Sequence, residues 1–62
     1  MSSNANEIMS IGDSLIEQHP STFTEDFEEN KAHVEQLTNV EAKRVRNRIA
    51  GYITRMKKDR NP

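Results

Sequence analysis

The stretch from residue 40 to residue 58, VEAKRVRNRIAGYITRMKK, constrains the fold most, because it combines an amphipathic helical pattern with strong positive charge. Its apolar residues recur at intervals of three and four, which places them on one face of a helix that turns by about 100° per residue. These residues are Val45, Ile49, Tyr52, Ile53 and Met56. Such a face must be buried, so other parts of the chain have to cover it.

A second stripe of the same predicted helix is basic and lies well away from the apolar face. Its members are Arg44, Arg48, Gly51, Arg55 and Lys58. Like charges four residues apart repel each other, cations near a helix N-terminus oppose the macrodipole, and a mid-helix glycine costs about 1 kcal/mol relative to alanine. These choices suit a helix that meets a polyanion, because cations neutralise phosphates and glycine lets a backbone come close. The structural alternative is that the cations are good helix formers and the glycine only relieves helix packing.

A second basic flank lies on the other side of the apolar face. Its members are Lys43, Arg46 and Lys57. Asn47 projects on the polar side, where its amide suits a phosphate or a ribose hydroxyl as well as water. Cations on both sides of the apolar face favour binding to a groove or junction of RNA over binding to one flat duplex face. Tyr52 is interpreted as a packing residue whose hydroxyl reaches the surface.

The formal net charge of −1 conceals a division of charge between the two parts of the chain. Residues 1–41 carry nine acidic residues against Lys31 alone, a net charge of −8. Residues 42–62 carry eight basic residues against Asp59 alone, a net charge of +7. This asymmetry predicts a polyanionic partner for the basic end, with the acidic part lying away from that partner or folding over the basic end.

Length and composition exclude several classes of protein. Sixty-two residues make one domain at most, 1–62, which we expect to have an ordered core over about 5–58 and flexible ends at 1–4 and 59–62. The chain has no cysteine for a disulfide framework or a thiolate metal site. It has no apolar run that spans a bilayer and no secretory signal, so a cytoplasmic protein is expected.

Three helices with short connectors are predicted, and these indicate an all-α protein, a small three-helix bundle. The first helix runs over about 4–18, with Ser3 or Asn4 as N-cap, and ends because the residue before Pro20 is pushed out of the α region. The second follows Thr24 as N-cap and has an acidic first turn. Its buried stripe is Phe27, Val34 and Leu37, with Lys31 on the same face. The third runs over about 42–58.

No catalytic or metal-binding constellation is recognisable. His19 and His33 have no second pair of ligands at a suitable spacing, so a zinc site is not expected. The serines show no nucleophile elbow, and Gly12 and Gly51 stand alone rather than in a phosphate-binding loop. We therefore expect no enzyme, no catalytic residue, no cofactor and no small-molecule substrate.

Two segments resemble a known family. They are FTEDFEENK at residues 23–31 and VRNRIAGYITR at residues 45–55. They resemble the archaeal and eukaryotic small-subunit ribosomal protein seventeen family, whose members carry D-F-x-x-N-K and R-N-[RK]-I-A-G-Y-[IV]-T at this separation. The resemblance covers roughly residues 15–57, with an uninterrupted nine-residue match at 46–54. The short chain is similar to the archaeal form.

The resemblance implies a three-helix, FF-domain-like fold with a short 3₁₀ turn between helices two and three. It also implies a structural constituent of the small ribosomal subunit in the cytoplasm, with ribosomal RNA and neighbouring small-subunit proteins as partners and a monomer when free. The RNA-binding candidates are Lys43, Arg44, Arg46, Asn47, Arg48, Gly51, Arg55, Lys57 and Lys58. Members usually have a hydroxyl residue at the position of Ala42, so here we expect Asn39 or Thr38 to cap helix three instead.

The chain departs from the family at its N-terminus. Family members begin with a basic segment, whereas residues 1–30 contain no lysine or arginine and helix one carries Glu7, Asp13 and Glu17. One interpretation is a ribosomal protein that docks by helix three alone. The other is an off-ribosome paralogue, a protein-interaction module whose basic helix meets an acidic partner or the acidic half of another copy.

Overall fold

Three helices make up most of the computed structural model, which describes residues 4–60 and the side chains of residues 4–59. Helix α1 is Ala5–Gln18, helix α2 is Phe27–Leu37 and helix α3 is Lys43–Arg60. Residues 4–60 contain no strand. The predicted all-α bundle of three helices is therefore confirmed.

Helix α1 begins and ends where its sequence predicts. The side chain of Asn4 caps it by accepting a hydrogen bond from the backbone N–H of Glu7, with a donor–acceptor distance of 2.8 Å. The helix ends before His19, whose backbone N–H still donates to the Leu15 carbonyl at 2.9 Å. Pro20 follows, and it prevents any continuation of the helix.

Helix α2 begins later than predicted, because Asp26 rather than Thr24 is its N-cap. The Asp26 carboxylate accepts a hydrogen bond from the backbone N–H of Glu28 at 2.9 Å. The Thr24 hydroxyl instead accepts from the Asp26 backbone N–H at 3.0 Å and donates to the Glu29 carboxylate at 3.2 Å. The prediction of Thr24 as N-cap is wrong, because the Asn30 side chain hydrogen-bonds both the backbone N–H and the carbonyl of Thr24 and holds them outside the helix.

The connector between α2 and α3, residues 38–42, contains no 3₁₀ turn, so that prediction is wrong. Thr38 is extended, and its hydroxyl donates to the Val34 carbonyl at 2.7 Å, which closes α2. Thr38 therefore belongs to the end of α2 and does not cap α3. The first backbone hydrogen bond of α3 runs from the Arg46 N–H to the Ala42 carbonyl at 3.0 Å, which puts Ala42 at the N-cap position.

The C-terminal end of α3 also differs from the prediction. Asp59 and Arg60, which the sequence assigns to a flexible tail, continue the helix. The remaining residues of the predicted flexible ends, 1–3 and 61–62, lie outside the described residues.

Helix α3 is the central element, since α1 and α2 both pack against it. The core consists of Ile8, Leu15, Ile16, Phe23, Val34, Ile49, Ala50 and Ile53. The apolar face predicted for α3 is confirmed, and its other members Val45, Tyr52 and Met56 are half-buried against this core. Leu37 is 39% exposed, so its place in the buried stripe was wrongly predicted. It is the last residue of α2 and lies beyond the part of that helix that meets the core.

The Asn30 side chain links α2 to α3 through a buried polar network. Asn30 is fully buried, and its carbonyl oxygen accepts from the Thr24 N–H at 2.9 Å. Its amide nitrogen donates to the Thr24 carbonyl at 2.7 Å and to the Thr54 hydroxyl at 2.8 Å. The Thr54 hydroxyl in turn donates to the Ala50 carbonyl at 2.8 Å. Both ends of the Asn30 amide are thus satisfied, as a buried polar group requires.

Gly12 allows α1 to approach α3 closely. A Cβ atom at Gly12 would lie 2.4 Å from Cδ2 and 2.8 Å from Cε2 of the Tyr52 ring. The ring therefore occupies the space that any other residue's side chain would need. Beside it, the Tyr52 hydroxyl donates to the Asp13 carboxylate at 2.6 Å. Tyr52 is the packing residue with a surface hydroxyl that the sequence predicts.

Replacing Asn30 by alanine should destabilise the protein by about 2 to 4 kcal/mol, because three hydrogen bonds are lost. The backbone N–H and carbonyl of Thr24 and the hydroxyl oxygen of Thr54 then lose Asn30 as a partner. A destabilisation of this size is a large part of the stability of a domain this small. Urea denaturation followed by circular dichroism measures it, with the exposed Gln36→Ala on the same helix as control. Equal unfolding midpoints for Asn30→Ala and Gln36→Ala would contradict this role.

Replacing Gly12 by alanine should lower the free energy of unfolding by about 1 to 3 kcal/mol, despite alanine's better helix propensity, because the new methyl group overlaps the Tyr52 ring. The same Gly12→Ala change in a Tyr52→Ala background should be neutral or stabilising, since alanine lacks the ring atoms that overlap. A double-mutant cycle from urea denaturation gives both values. If Gly12→Ala stabilises both backgrounds equally, the Tyr52 ring does not restrict the residue at position 12, and this explanation is contradicted.

Candidate nucleic-acid interface

The basic stripe of α3 lies on the solvent side of the helix. All four cations of this stripe are exposed: Arg44, Arg48, Arg55 and Lys58. The core residues Ile49 and Ile53 occupy the opposite side of the helix and are fully buried. The same periodicity that buries the apolar face therefore turns the basic stripe outward, as the sequence predicts.

The acidic part of the chain leaves at least three of these cations uncovered. Among the side chains of residues 4–59, none forms an ion pair or hydrogen bond with Arg44, Arg55 or Lys58. Folding of the acidic half over the basic end, one of the two possibilities raised by the charge asymmetry, is therefore not seen at these positions. The stripe presents positive charge to whatever lies outside the bundle.

Gly51 lies within the stripe without a structural need for glycine. It is helical with an ordinary negative φ, so its backbone conformation is open to any residue. A Cβ atom placed there would have a single neighbour within 4 Å outside the local helix backbone, Cε1 of Phe27 at 4.0 Å. That is ordinary van der Waals contact, so helix packing does not explain Gly51. The contrast with Gly12 favours an external contact as the reason for glycine at this position.

Asn47 is exposed beside the stripe and is partly engaged by its neighbour. Its carbonyl oxygen accepts from Nε and Nη2 of Arg46 at 3.4 and 3.3 Å. These long contacts orient the amide group. Among the described residues, nothing accepts a hydrogen bond from the amide nitrogen of Asn47, which is therefore the part that can reach an outside acceptor.

The second basic flank is largely used inside the protein. Arg46 is half-buried and pairs with the Glu35 carboxylate near the end of α2. Lys57 is half-buried and donates to the Pro20 carbonyl, 3.0 Å away, in the α1–α2 connector. Lys43 is exposed at the start of α3. The structure thus brings the nine candidates onto one helix. Five form the outward stripe, Lys43 and Asn47 are exposed outside it, and Arg46 and Lys57 hold other elements to α3.

Neither a cluster of metal-ligating side chains nor a membrane-spanning helix occurs in the described part of the chain. Within residues 4–59, no three side chains of the metal-ligating types lie together as a metal site requires. None of α1, α2 and α3, as described, is long and apolar enough to cross a membrane.

Comparison with known proteins identifies the family. The family described as Ribosomal S17 matches residues 3–61 of the chain. A relative from Pyrobaculum neutrophilum, named small ribosomal subunit protein eS17, is 58% identical over 53 residues, which cover 86% of this chain and 75% of the relative. Relatives of the same name come from Haloquadratum walsbyi, 56% identical over 55 residues (89% and 82%), and Methanospirillum hungatei, 60% identical over 48 residues (77% and 75%). A family match over nearly the whole chain, together with these identities, confirms the resemblance seen in its two motifs: the chain belongs to the Ribosomal S17 family, whose proteins are structural parts of the small ribosomal subunit and not enzymes.

Proposed function

We propose that the protein binds ribosomal RNA in the cytoplasmic small subunit through the outward stripe of α3, next to other small-subunit proteins. The observation that carries the proposal is the exposure of Arg44, Arg55 and Lys58, without internal ion pairs among the described side chains. Gly51, which the fold itself does not require, lies between them. Because the chain belongs to a ribosomal protein family, ribosomal RNA is the polyanion that we expect it to meet.

The stripe has the dimensions of a backbone-binding surface. From Arg44 to Lys58 it extends about 21 Å at 1.5 Å per residue, long enough to meet several successive phosphates. Phosphate contacts fix the position and orientation of a protein on a nucleic acid without reading its sequence. The protein therefore recognises the shape of a folded RNA, with the cations on phosphates and Gly51 admitting the RNA backbone close to the helix.

The remaining candidates take different parts in this proposal. Lys43 extends the stripe at the start of α3, and the amide nitrogen of Asn47 donates to a phosphate or a ribose hydroxyl. Arg46 and Lys57 hold α2 and the α1–α2 connector against α3 and add to the positive field at longer range. The acidic face of α1 is repelled by RNA, so it faces solvent or a neighbouring protein.

An interaction module away from the ribosome is the second candidate function. The observation that favours it is the lack of any lysine or arginine in residues 1–30. The same exposed stripe would then meet an acidic protein. Sedimentation of a cell extract separates the two functions, because a ribosomal protein travels with the small subunit whereas a module of the second kind stays in the light fractions.

Neutralising two cations of the stripe should weaken RNA binding and its dependence on salt. For the unmodified protein on a small-subunit ribosomal RNA transcript, four to six neutralised phosphates correspond to a slope of log K against log salt of roughly −3 to −5. The double variant Arg44→Gln/Arg55→Gln should make this slope shallower by about 1.4 to 1.8, the value for two lost phosphate contacts. Filter binding across a salt series measures both slopes.

The control for this experiment is Gln18→Glu/Gln36→Glu, which changes the net charge by the same amount at exposed positions on α1 and α2. It should leave the slope close to that of the unmodified protein, because it removes no phosphate contact. If both double variants change the slope equally, net charge rather than the stripe governs binding. No measurable affinity for the RNA would favour the interaction module.

Replacing Gly51 by alanine should have opposite effects on stability and on RNA binding. The free protein should gain up to about 1 kcal/mol in the free energy of unfolding, because alanine favours the helix and its Cβ has room there. RNA affinity should fall, because the methyl group stands where the RNA backbone approaches. Urea denaturation and filter binding measure the two effects, and unchanged affinity in a stabilised variant would show that RNA does not come close at Gly51.

A further inference from the structure

Lys31 is an unusual residue of the acidic part of the chain, because it is the only lysine or arginine before Lys43. It is half-buried on α2, where its ammonium lies over the Phe27 ring, 5.4 Å from the ring centroid. Glu28, one turn earlier, places a carboxylate oxygen 3.1 Å from the same ammonium. Lys31 is thus held at a defined place on the surface.

The Phe27 ring connects Lys31 to the α3 stripe. The Phe27 ring beneath the ammonium is also the nearest neighbour of Gly51, with Cε1 of the ring 4.0 Å from the Cβ position there. The Lys31 ammonium therefore lies within about 11 Å of Gly51, which is comparable to the Debye length of about 8 to 10 Å in physiological salt. Its charge adds to the potential of the stripe.

The present partners of Lys31 do not prevent it from taking a phosphate. Glu28 has a side chain that is 74% exposed, and exposed ion pairs of this kind are weak in water. The Phe27 ring covers one side of the ammonium and leaves other N–H donors open to a phosphate. A phosphate that approaches Gly51 can displace the Glu28 carboxylate, while the Phe27 ring keeps the ammonium in place.

We propose that Lys31 is a phosphate-binding residue of the same RNA interface, so that the interface spans α2 and α3 rather than α3 alone. Phe27 positions its ammonium, and the missing side chain at Gly51 opens the space between Lys31 and the α3 cations. This inference rests on the proposed RNA binding by α3. It assigns a function to the one cation of the acidic part.

Neutralising Lys31 tests the proposal directly. Lys31→Gln should weaken binding to a small-subunit ribosomal RNA transcript by about three- to tenfold near 0.1 M salt and make the salt slope shallower by about 0.7 to 0.9, the value for one lost phosphate contact. Gln36→Glu, exposed on the same helix, lowers the net charge by the same amount and should leave the slope close to that of the unmodified protein. Equal slopes for Lys31→Gln and Gln36→Glu would overturn the proposal.

A second pair of variants tests the same site by removing a negative charge instead of a positive one. Glu28→Gln frees Lys31 and should raise the RNA affinity more than Glu7→Gln does. The two changes are matched, because both glutamates are exposed in the first turn of a helix and each change removes one negative charge. Equal gains for the two variants would count against the proposal.

The outcomes distinguish this inference from the function on which it rests. If Arg44→Gln/Arg55→Gln flattens the salt slope whereas Lys31→Gln behaves like its control, α3 binds RNA without α2 and only the inference fails. If neither the α3 variant nor Lys31→Gln differs from its control, the RNA interface itself fails.

Discussion

The buried amide of Asn30 is the interaction on which the arrangement of α2 and α3 depends. A bundle of this size has a small apolar core and no disulfide to reinforce it, so packing alone specifies helix positions weakly. Asn30 adds direction, because its hydrogen bond to Thr54 forms only when α2 lies at one height and rotation on α3. Its bonds to the Thr24 backbone fix the α1–α2 connector against α2. The rotation of α2 on α3 brings Phe27 beside Gly51 and leaves the basic stripe of α3 facing outward.

Gly12 and Gly51 are both helical glycines, but the fold requires only one of them. Gly12 is required from inside, since the Tyr52 ring fills the space of its missing side chain and lets α1 lie close to α3. Gly51 is helical too but has room for a methyl group, so the free protein bears its helix cost without a packing gain. Features that weaken a fold without serving its packing are typical of functional surfaces. The like-charged stripe around Gly51 has the same character.

Periodicity predicted the parts of the structure that depend on one segment at a time. The bounds of α1 and the apolar face of α3 follow from apolar spacing and from Pro20, and both are confirmed. Periodicity does not contain pairings between distant segments, so the bonds of Asn30 to Thr24 and Thr54 and the fit of Gly12 to Tyr52 were missed. The one available signal was a polar Asn30 on the buried stripe of α2. The outward stripe was predictable, but the internal use of Arg46 and Lys57 was not, because their partners lie on other elements.

A structure of the small ribosomal subunit with this protein bound tests the central claim most directly. The account predicts that the α3 stripe lies along RNA phosphates, with the guanidinium groups of Arg44 and Arg55 at hydrogen-bonding distance and the backbone at Gly51 in contact with RNA. It also predicts that the carboxylates of α1 face away from the RNA. A subunit in which the stripe faces solvent, or meets only protein, while another surface of the bundle touches the RNA would contradict it.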